Sequence, residues 1–276
     1  MTISQDPTAP LIVLVGITGL QGGSVARALI ESNKSYRPAA EAFAAQGVQI
    51  VGVSLTIENA LSVQKAFNGA DIAFVSKMLV DTAKLIGVKL LVWSGLALSN
   101  GKFSRVGFFD AKKAVTDMRR TLAGYYASNI FEAPYALKKQ LGGSYAFGLP
   151  TPPTTQVPLI DVAHDHGLYV RAAIEDPSLG AGSEVLSGRL ISFGEIVATL
   201  AEVSGKKIEY LEMDRETFIA ATGMPDYGPM LSDMFEAFAV HGYYGGKETT
   251  NERLLARKPR LWSEFLAVVQ VKELLK

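Results

Sequence analysis

"VGITGLQGGSVARAL", residues 15–29, is the stretch whose reading decides the fold. Gly16, Gly19 and Gly22 stand three apart, between the apolar run "LIVLVGI" (11–17) and "SVARALIES", which puts Val25 and Leu29 on one helical face. A continuous apolar run is what a strand buried on both sides looks like. A strand, a glycine turn and an amphipathic helix in that order form a phosphate cradle. Gly16 permits the tight turn, Gly19 lets the backbone approach a pyrophosphate, and Gly22 lets the helix pack close to the strand. The backbone of Thr18, Leu20 and Gln21 completes the loop, and the helix start offers open N–H groups to phosphate. A lone G-x-x-G-x-x-G is also compatible with a turn that binds nothing; its surroundings favour the dinucleotide. The acidic residue that usually precedes a methyltransferase loop is missing from "LIVLVGITG".

Outward from the loop, strand and helix patterns alternate. "PAAEAFAAQG" reads as a helix opened by Pro38 and stopped by Gly47, and "VQIVGVSL" as a buried strand. "IENALSVQKAFNG" is a helix with Val63, Ala66 and Phe67 inward and Gly69 at its end. "DIAFV" is a strand, "KMLVDTAKLIG" a helix and "VKLLVWSG" a strand. This order predicts an α/β fold with a parallel, doubly wound sheet. The texture changes from about residue 145. "YAFGLPTPPTTQVPLIDV", rich in Pro and Thr, reads as a loop over the carboxyl edge of the sheet. "FGEIVATLAEVSGKKIEYLEM" reads as helix then strand; "RETFIAATGMP" and "LSDMFEAFAVHGYYGG" read as helices. We expect a dinucleotide-binding domain over residues 1–130 and a smaller substrate or partner lobe over 131–276, with some of its strands returning to the first sheet.

Three joints break the pattern. The first helix ends near Asn33 and the next begins near Pro38, and a few residues at roughly 3.3 Å each cannot cross a sheet and return. "DIAFVSKML" passes from strand to helix with almost no loop, and "VTDMRRTLAGYYASN" leaves little room for a strand. Either strands are lost or segments are missing between neighbouring numbers. We take the second view, near 37–38, 75–77 and 119–121.

Composition narrows the function classes. The 276 residues are 48% hydrophobic and 20% charged, as in a globular protein with a full core. The 27 basic residues balance 27 acidic ones, so no global positive field draws in nucleic acid, and direct DNA binding is not expected. Cysteine is absent, which removes thiolate catalysis, disulfides and cysteine zinc sites and suits a reducing compartment. "MTISQDPTAP" does not read as a secretory signal, and runs such as "LIVLV" are too short to span a bilayer. A cytoplasmic location, with the nucleus as a further possibility, is the expectation.

"VGITGLQGGSVARALIES", "NGADIAFV", "AKLIGVKLLVWSGLA", "FFDAKKAVTD", "GYYASN" and "PLIDVAHDHGLYVRAAIEDP" together resemble the NmrA-like family, atypical relatives of the short-chain dehydrogenases. Gln21 after the glycine turn is fairly specific to that branch. The resemblance implies a Rossmann domain binding NADP or NAD and a smaller C-terminal lobe. Some members are redox-sensing regulators that bind protein partners such as transcription factors; other branches reduce quinones or isoflavones. The family's second strand usually ends in an Arg facing the adenosine 2′-phosphate, and here "SYRPAAEAF" leaves only Arg37.

Short-chain dehydrogenases carry Tyr-x-x-x-Lys on one helix. The Lys lowers the phenol's pKa and holds the nicotinamide ribose, and the Tyr exchanges the proton. The matching stretch, "FFDAK", keeps Lys112 but puts Phe108 in the Tyr position. Phenylalanine has no proton to give. Lys112 thus remains a ribose ligand, or a catalytic group if the protein is an enzyme, or else a solvated lysine beside Lys113. Ser94 lies where the dehydrogenase Ser commonly ends its strand, and Tyr126 and Asn129 of "GYYASN" would border the nicotinamide pocket. His164 and His166, two apart, lack the spacing and third ligand of a metal site and read as satisfied structural or surface histidines. Trp262 and Phe265 read as core. A redox-sensing regulator is favoured over a reductase of a small carbonyl or quinone.

Overall fold

The computed structural model describes residues 8–34, 60–75, 83, 87–95 and 117–275. Five parallel strands form the main sheet: β1 (Ile12–Leu14), β2 (Ile72–Val75), β3 (Leu90–Gly95), β4 (Asp117–Leu122) and β9 (Glu184–Leu186), side by side in that order. Strand period sorts their side chains onto two faces. Phe74 and Val92 join Ile12, Leu14, Val25 and Leu29 on one face, whereas Ala73, Val75 and Leu91 join Val63 and Phe67 on the other. The helix α1 (Leu20–Ile30) covers the first face and α2 (Ala60–Phe67) the second. Both helices and all three apolar strands fall where their patterns predict, and Gly69 after α2 takes a left-handed φ of 77°. The fold is a Rossmann-type α/β sheet. "PAAEAFAAQG", "VQIVGVSL" and, apart from Ala83, "KMLVDTAKLIG" lie outside the described residues.

Two expectations are overturned. The stretch expected to have little room for a strand holds one: β4 pairs Val92 with Arg119, Trp93 with Arg120 and Ser94 with Thr121. Its arginines disguise it, because each finds its partner from elsewhere in the fold. Arg120 pairs with Glu184 of β9 at 2.5 Å, and Arg119 donates to the Ala173 carbonyl at 2.5 Å. The other two joints, at Arg37–Pro38 and after Val75, lie outside the described residues. Likewise "YAFGLPTPPTTQVPLIDV" is not a loop but two strands, β7 (Tyr145–Leu149) and β8 (Gln156–Ile160), around a short turn. Pro158 sits inside β8 without breaking it, since the two-residue β5 (Tyr125–Tyr126) pairs with β8 only from Leu159 onward.

The later half builds two small sheets. One orders β10 (Arg189–Ser192), β8 and β5; the other orders β11 (Ile208–Glu212), β7 and β6 (Lys138–Lys139). Their core is aromatic: Phe147, Phe193, Phe218 and Phe235 are buried together, and Trp262 stacks on Phe265 at 5.6 Å. The helix α5 (Phe193–Ser204) starts on a capping box of Ser192 and Glu195 and stops at Gly205. Chain order and space diverge at α4 (Val162–Glu175), which leaves β8 and lies flush on α1. The Gly167 N–H donates to Ser24 Oγ at 2.9 Å, and a side chain at Gly167 would strike the Ser24 carbonyl. The chain then returns to the main sheet through β9.

Candidate functional site

The loop Gly16–Gly22 joins β1 to α1 at the carboxyl edge of the main sheet. Gly16 adopts φ 70°, a conformation that favours glycine. Its carbonyl accepts the Gly19 N–H at 2.9 Å, which closes the turn. A Cβ at Gly22 would lie 2.3 Å from the Gly16 oxygen and 2.6 Å from its carbonyl carbon, so no other residue fits. Gly19, the N-cap of α1, has ordinary extended backbone, and its Cβ would meet only the Gly16 oxygen, at 3.2 Å.

That arrangement leaves the helix start open. Gly23 N–H is taken by the Gly19 carbonyl, whereas the N–H groups of Leu20, Gln21 and Gly22 find no acceptor among the described residues. No side chain caps them, and the first turn carries no acidic residue that would repel an anion. Gly16, Thr18, Gly19 and Leu20 are exposed to solvent. The cradle fits a pyrophosphate: three donors, positive helix dipole and no side chain in the way.

Beside the loop the structure brings three of the expected residues together. Ser94, next to the end of β3, donates from Oγ to Gln21 Oε1 at 2.5 Å; Gln21 Nε2 donates to the Tyr126 hydroxyl at 2.5 Å. All three side chains are half-buried. Burial pushes the Tyr126 phenol above its ordinary value of 10, and the Gln21 amide pulls it part of the way back, so the group is neutral near pH 7. Asn129, the first residue of α3 (Asn129–Glu132), instead lies close to Tyr135, whose phenol pKa burial raises and Asn129 pulls part of the way back. Arg37, Phe108 and Lys112 lie outside the described residues. A separate cavity of about 260 Å³ is walled by Ala127, Ile160, Asp161, Arg189, Arg260 and Trp262; Tyr126 does not line it.

The histidines need a correction. His166 is fully buried on α4, edge-on to Phe74, with neither ring nitrogen hydrogen-bonded among the described residues, so it is structural but not satisfied. Burial alone lowers its pKa to about 4. Its neighbours His164 and Asp165 join an ionic clamp that sequence reading missed. Asp165, fully buried, accepts from Arg257 Nη1 at 2.7 Å and from the Arg260 N–H at 2.8 Å, while Arg260 pairs with Asp161. The signal was present as acids at 161 and 165 and arginines at 257 and 260, but nearly a hundred residues separate the halves. Among the described residues no group of three His, Cys, Asp or Glu side chains could hold a metal ion, and no helix is long and apolar enough to cross a membrane.

The model of the NmrA-like family matches residues 8–266. The chain belongs to the NmrA-like family. A curated relative from Aspergillus flavus, the NmrA-like family domain-containing oxidoreductase lnaB, is 28% identical over 260 residues, covering 75% of this chain and 76% of that protein. Since 75% of 276 residues is fewer than 260, the alignment places gaps in this chain. Among solved structures, NmrA, a negative transcriptional regulator crystallised with NADP, superposes with a TM-score of 0.72 at 17% identity, over 97% of this chain and 95% of that one. An NADPH-dependent quinone oxidoreductase from Escherichia coli gives 0.70 at 17% identity, over 94% and 99%. The Citrobacter triphenylmethane reductase gives 0.70 at 17% identity, over 96% and 99%. At these identities the superpositions establish the shared fold.

Proposed function

We propose that the chain binds NADP or NAD on the Gly16–Gly22 loop and works as a dinucleotide-responsive regulator. The observation that carries the binding half is the open start of α1, where three N–H donors without an acceptor among the described residues stand above a turn that only glycine can build. Thr18, Leu20 and Gln21 would present backbone to the pyrophosphate. Ser94 and Tyr126 would face the nicotinamide half, and Asn129 would border it from the α3 side. On the family pattern, Lys112 would hold the nicotinamide ribose and Arg37 the adenosine 2′-phosphate. Dinucleotide binding then belongs to residues 1–130 and partner binding to 131–276. A protein partner such as a transcription factor, met in the cytoplasm or nucleus, suits a charge-balanced chain better than DNA itself. The regulatory half rests on Phe108, which withholds the usual proton donor.

Reduction of a small carbonyl or quinone is the second reading. The oxidoreductase from Aspergillus flavus that the chain resembles favours it. Calorimetric titration with NADPH, NADP⁺, NADH and NAD⁺, followed by turnover assays on a quinone panel, separates the two. Saturable binding without NAD(P)H oxidation supports a regulator; steady turnover supports a reductase; no binding of any of the four removes both.

A further inference from the structure

The Gln21 side chain ends in a primary carboxamide, and both its oxygen and its nitrogen are hydrogen-bonded. Its carbonyl accepts from Ser94 Oγ and its amide donates to the Tyr126 hydroxyl, each at 2.5 Å. Ser94 belongs to the main sheet, through its pairing with Thr121 of β4; Tyr126 belongs to the small sheet, through its pairing with Ile160 of β8. Two hydroxyls from different sheets therefore face each other across a gap that one carboxamide fills. A hydroxyl can donate or accept, so the pair reads a carboxamide in either orientation.

The position is as telling as the chemistry. In an open α/β sheet a dinucleotide lies across the carboxyl ends of the strands with its pyrophosphate on the first helix start. Here that start is the N–H trio of Leu20, Gln21 and Gly22, and Ser94 stands near the carboxyl end of β3. The group that a bound dinucleotide carries past this point is nicotinamide, whose own substituent is a primary carboxamide. Gln21 fills from within the place that such a group would take.

Resting on the NAD(P) reading above, we propose that Ser94 and Tyr126 form a carboxamide subsite that Gln21 occupies in the unbound chain and yields to the nicotinamide carboxamide on binding. The Gln21 contact is thus autoinhibitory: every bound nicotinamide must first displace it. The exchange replaces two hydrogen bonds by two like ones, so it adds no affinity. A chain in which the subsite stands empty gains those bonds outright. Tyr126, released from the loop and engaged by the ligand, is the strand residue through which occupancy reaches β8 and the small lobe.

The test is Gln21→Met, which keeps length and helix propensity and removes the carboxamide. Affinities are measured for NADP⁺ and NAD⁺ and for the fragments that lack nicotinamide, 2′-phospho-ADP-ribose and ADP-ribose. Gln21→Met is expected to bind the whole dinucleotide about three- to tenfold more tightly than wild type, the scale of one or two net hydrogen bonds. The matching fragment should bind equally to both proteins. Adding Tyr126→Phe should remove most of the gain, again without touching the fragment. Gln21→Leu serves as a second variant should the methionine protein fold poorly. Unchanged or weaker binding of the whole dinucleotide by Gln21→Met overturns the subsite. Failure of the wild type to bind either fragment or dinucleotide instead overturns the NAD(P) reading on which the subsite rests.

Discussion

Gly22→Ala is the smallest change that separates a built cradle from an ordinary turn. The added methyl would stand 2.3 Å from the Gly16 oxygen, 2.6 Å from its carbonyl carbon and 2.8 Å from the Ile17 nitrogen. All three are backbone atoms, so no rotamer change relieves the overlap; α1 must lift from the turn. Overpacking of this kind costs roughly 1–3 kcal/mol, against which alanine recovers up to about 1 kcal/mol of helix propensity. The net expectation is a loss of about 1–2 kcal/mol, or a fall in Tm of roughly 2–8 °C for a domain of this size. Lifting α1 also turns the N–H groups of Leu20, Gln21 and Gly22 away from their common focus, so dinucleotide affinity should drop at least tenfold. Thermal melts and calorimetry on the same preparation read both. A protein with unchanged Tm and unchanged affinity would refute the reasoning, because the methyl could then be housed without moving the loop.

His166 predicts the pH dependence of stability. Its imidazole has a pKa of about 4 when folded, against the ordinary 6.5 of a solvated histidine, so between those values the unfolded chain binds a proton that the folded chain refuses. This contribution is intact above pH 6.5, falls away as pH drops towards 4, and amounts to about 3 kcal/mol across the window. Urea melts at pH 7 and pH 5 should show a slope that His166→Leu flattens; an equal slope in both proteins counts against it. Asp165→Asn should destabilise the fold by about 1–3 kcal/mol, since Arg257 would lose its anionic partner while remaining partly solvated. Indifference of the urea midpoint would show that the clamp is ornamental. Lys112→Ala should weaken dinucleotide binding by about 1–3 kcal/mol, and Phe108→Tyr should leave binding unchanged while gaining weak ketone turnover. Robust ketone reduction by the wild type, insensitive to Lys112→Ala, would place the chemistry elsewhere.

What could be seen in the sequence follows from how local each signal is. The glycine turn, α1, α2 and the strands around Phe74 and Val92 were legible because apolar period and glycine spacing act over a few residues. β4 was not, because "DMRRTL" looks polar until Glu184 arrives from elsewhere to pair with Arg120 and the Ala173 carbonyl to accept from Arg119. β7 and β8 were hidden by the prolines and threonines of the turn between them, although Val157, Leu159 and Ile160 are buried as strand residues should be. At the site, Ser94, Gln21 and Tyr126 were each named for the cofactor. That Gln21 links the other two could not be read, since strands far apart in the chain hold the hydroxyls.

Gly19→Val tests the central claim most directly. Gly19 has extended backbone, and a Cβ there meets only one atom, at 3.2 Å, so valine should fold with a Tm close to that of wild type. The branched side chain would stand over the open N–H groups where a pyrophosphate must sit. Calorimetric titration with NADPH should show saturable binding by wild type and none by Gly19→Val. Equal binding by the two proteins would mean that the loop is only a turn, and the account would be wrong.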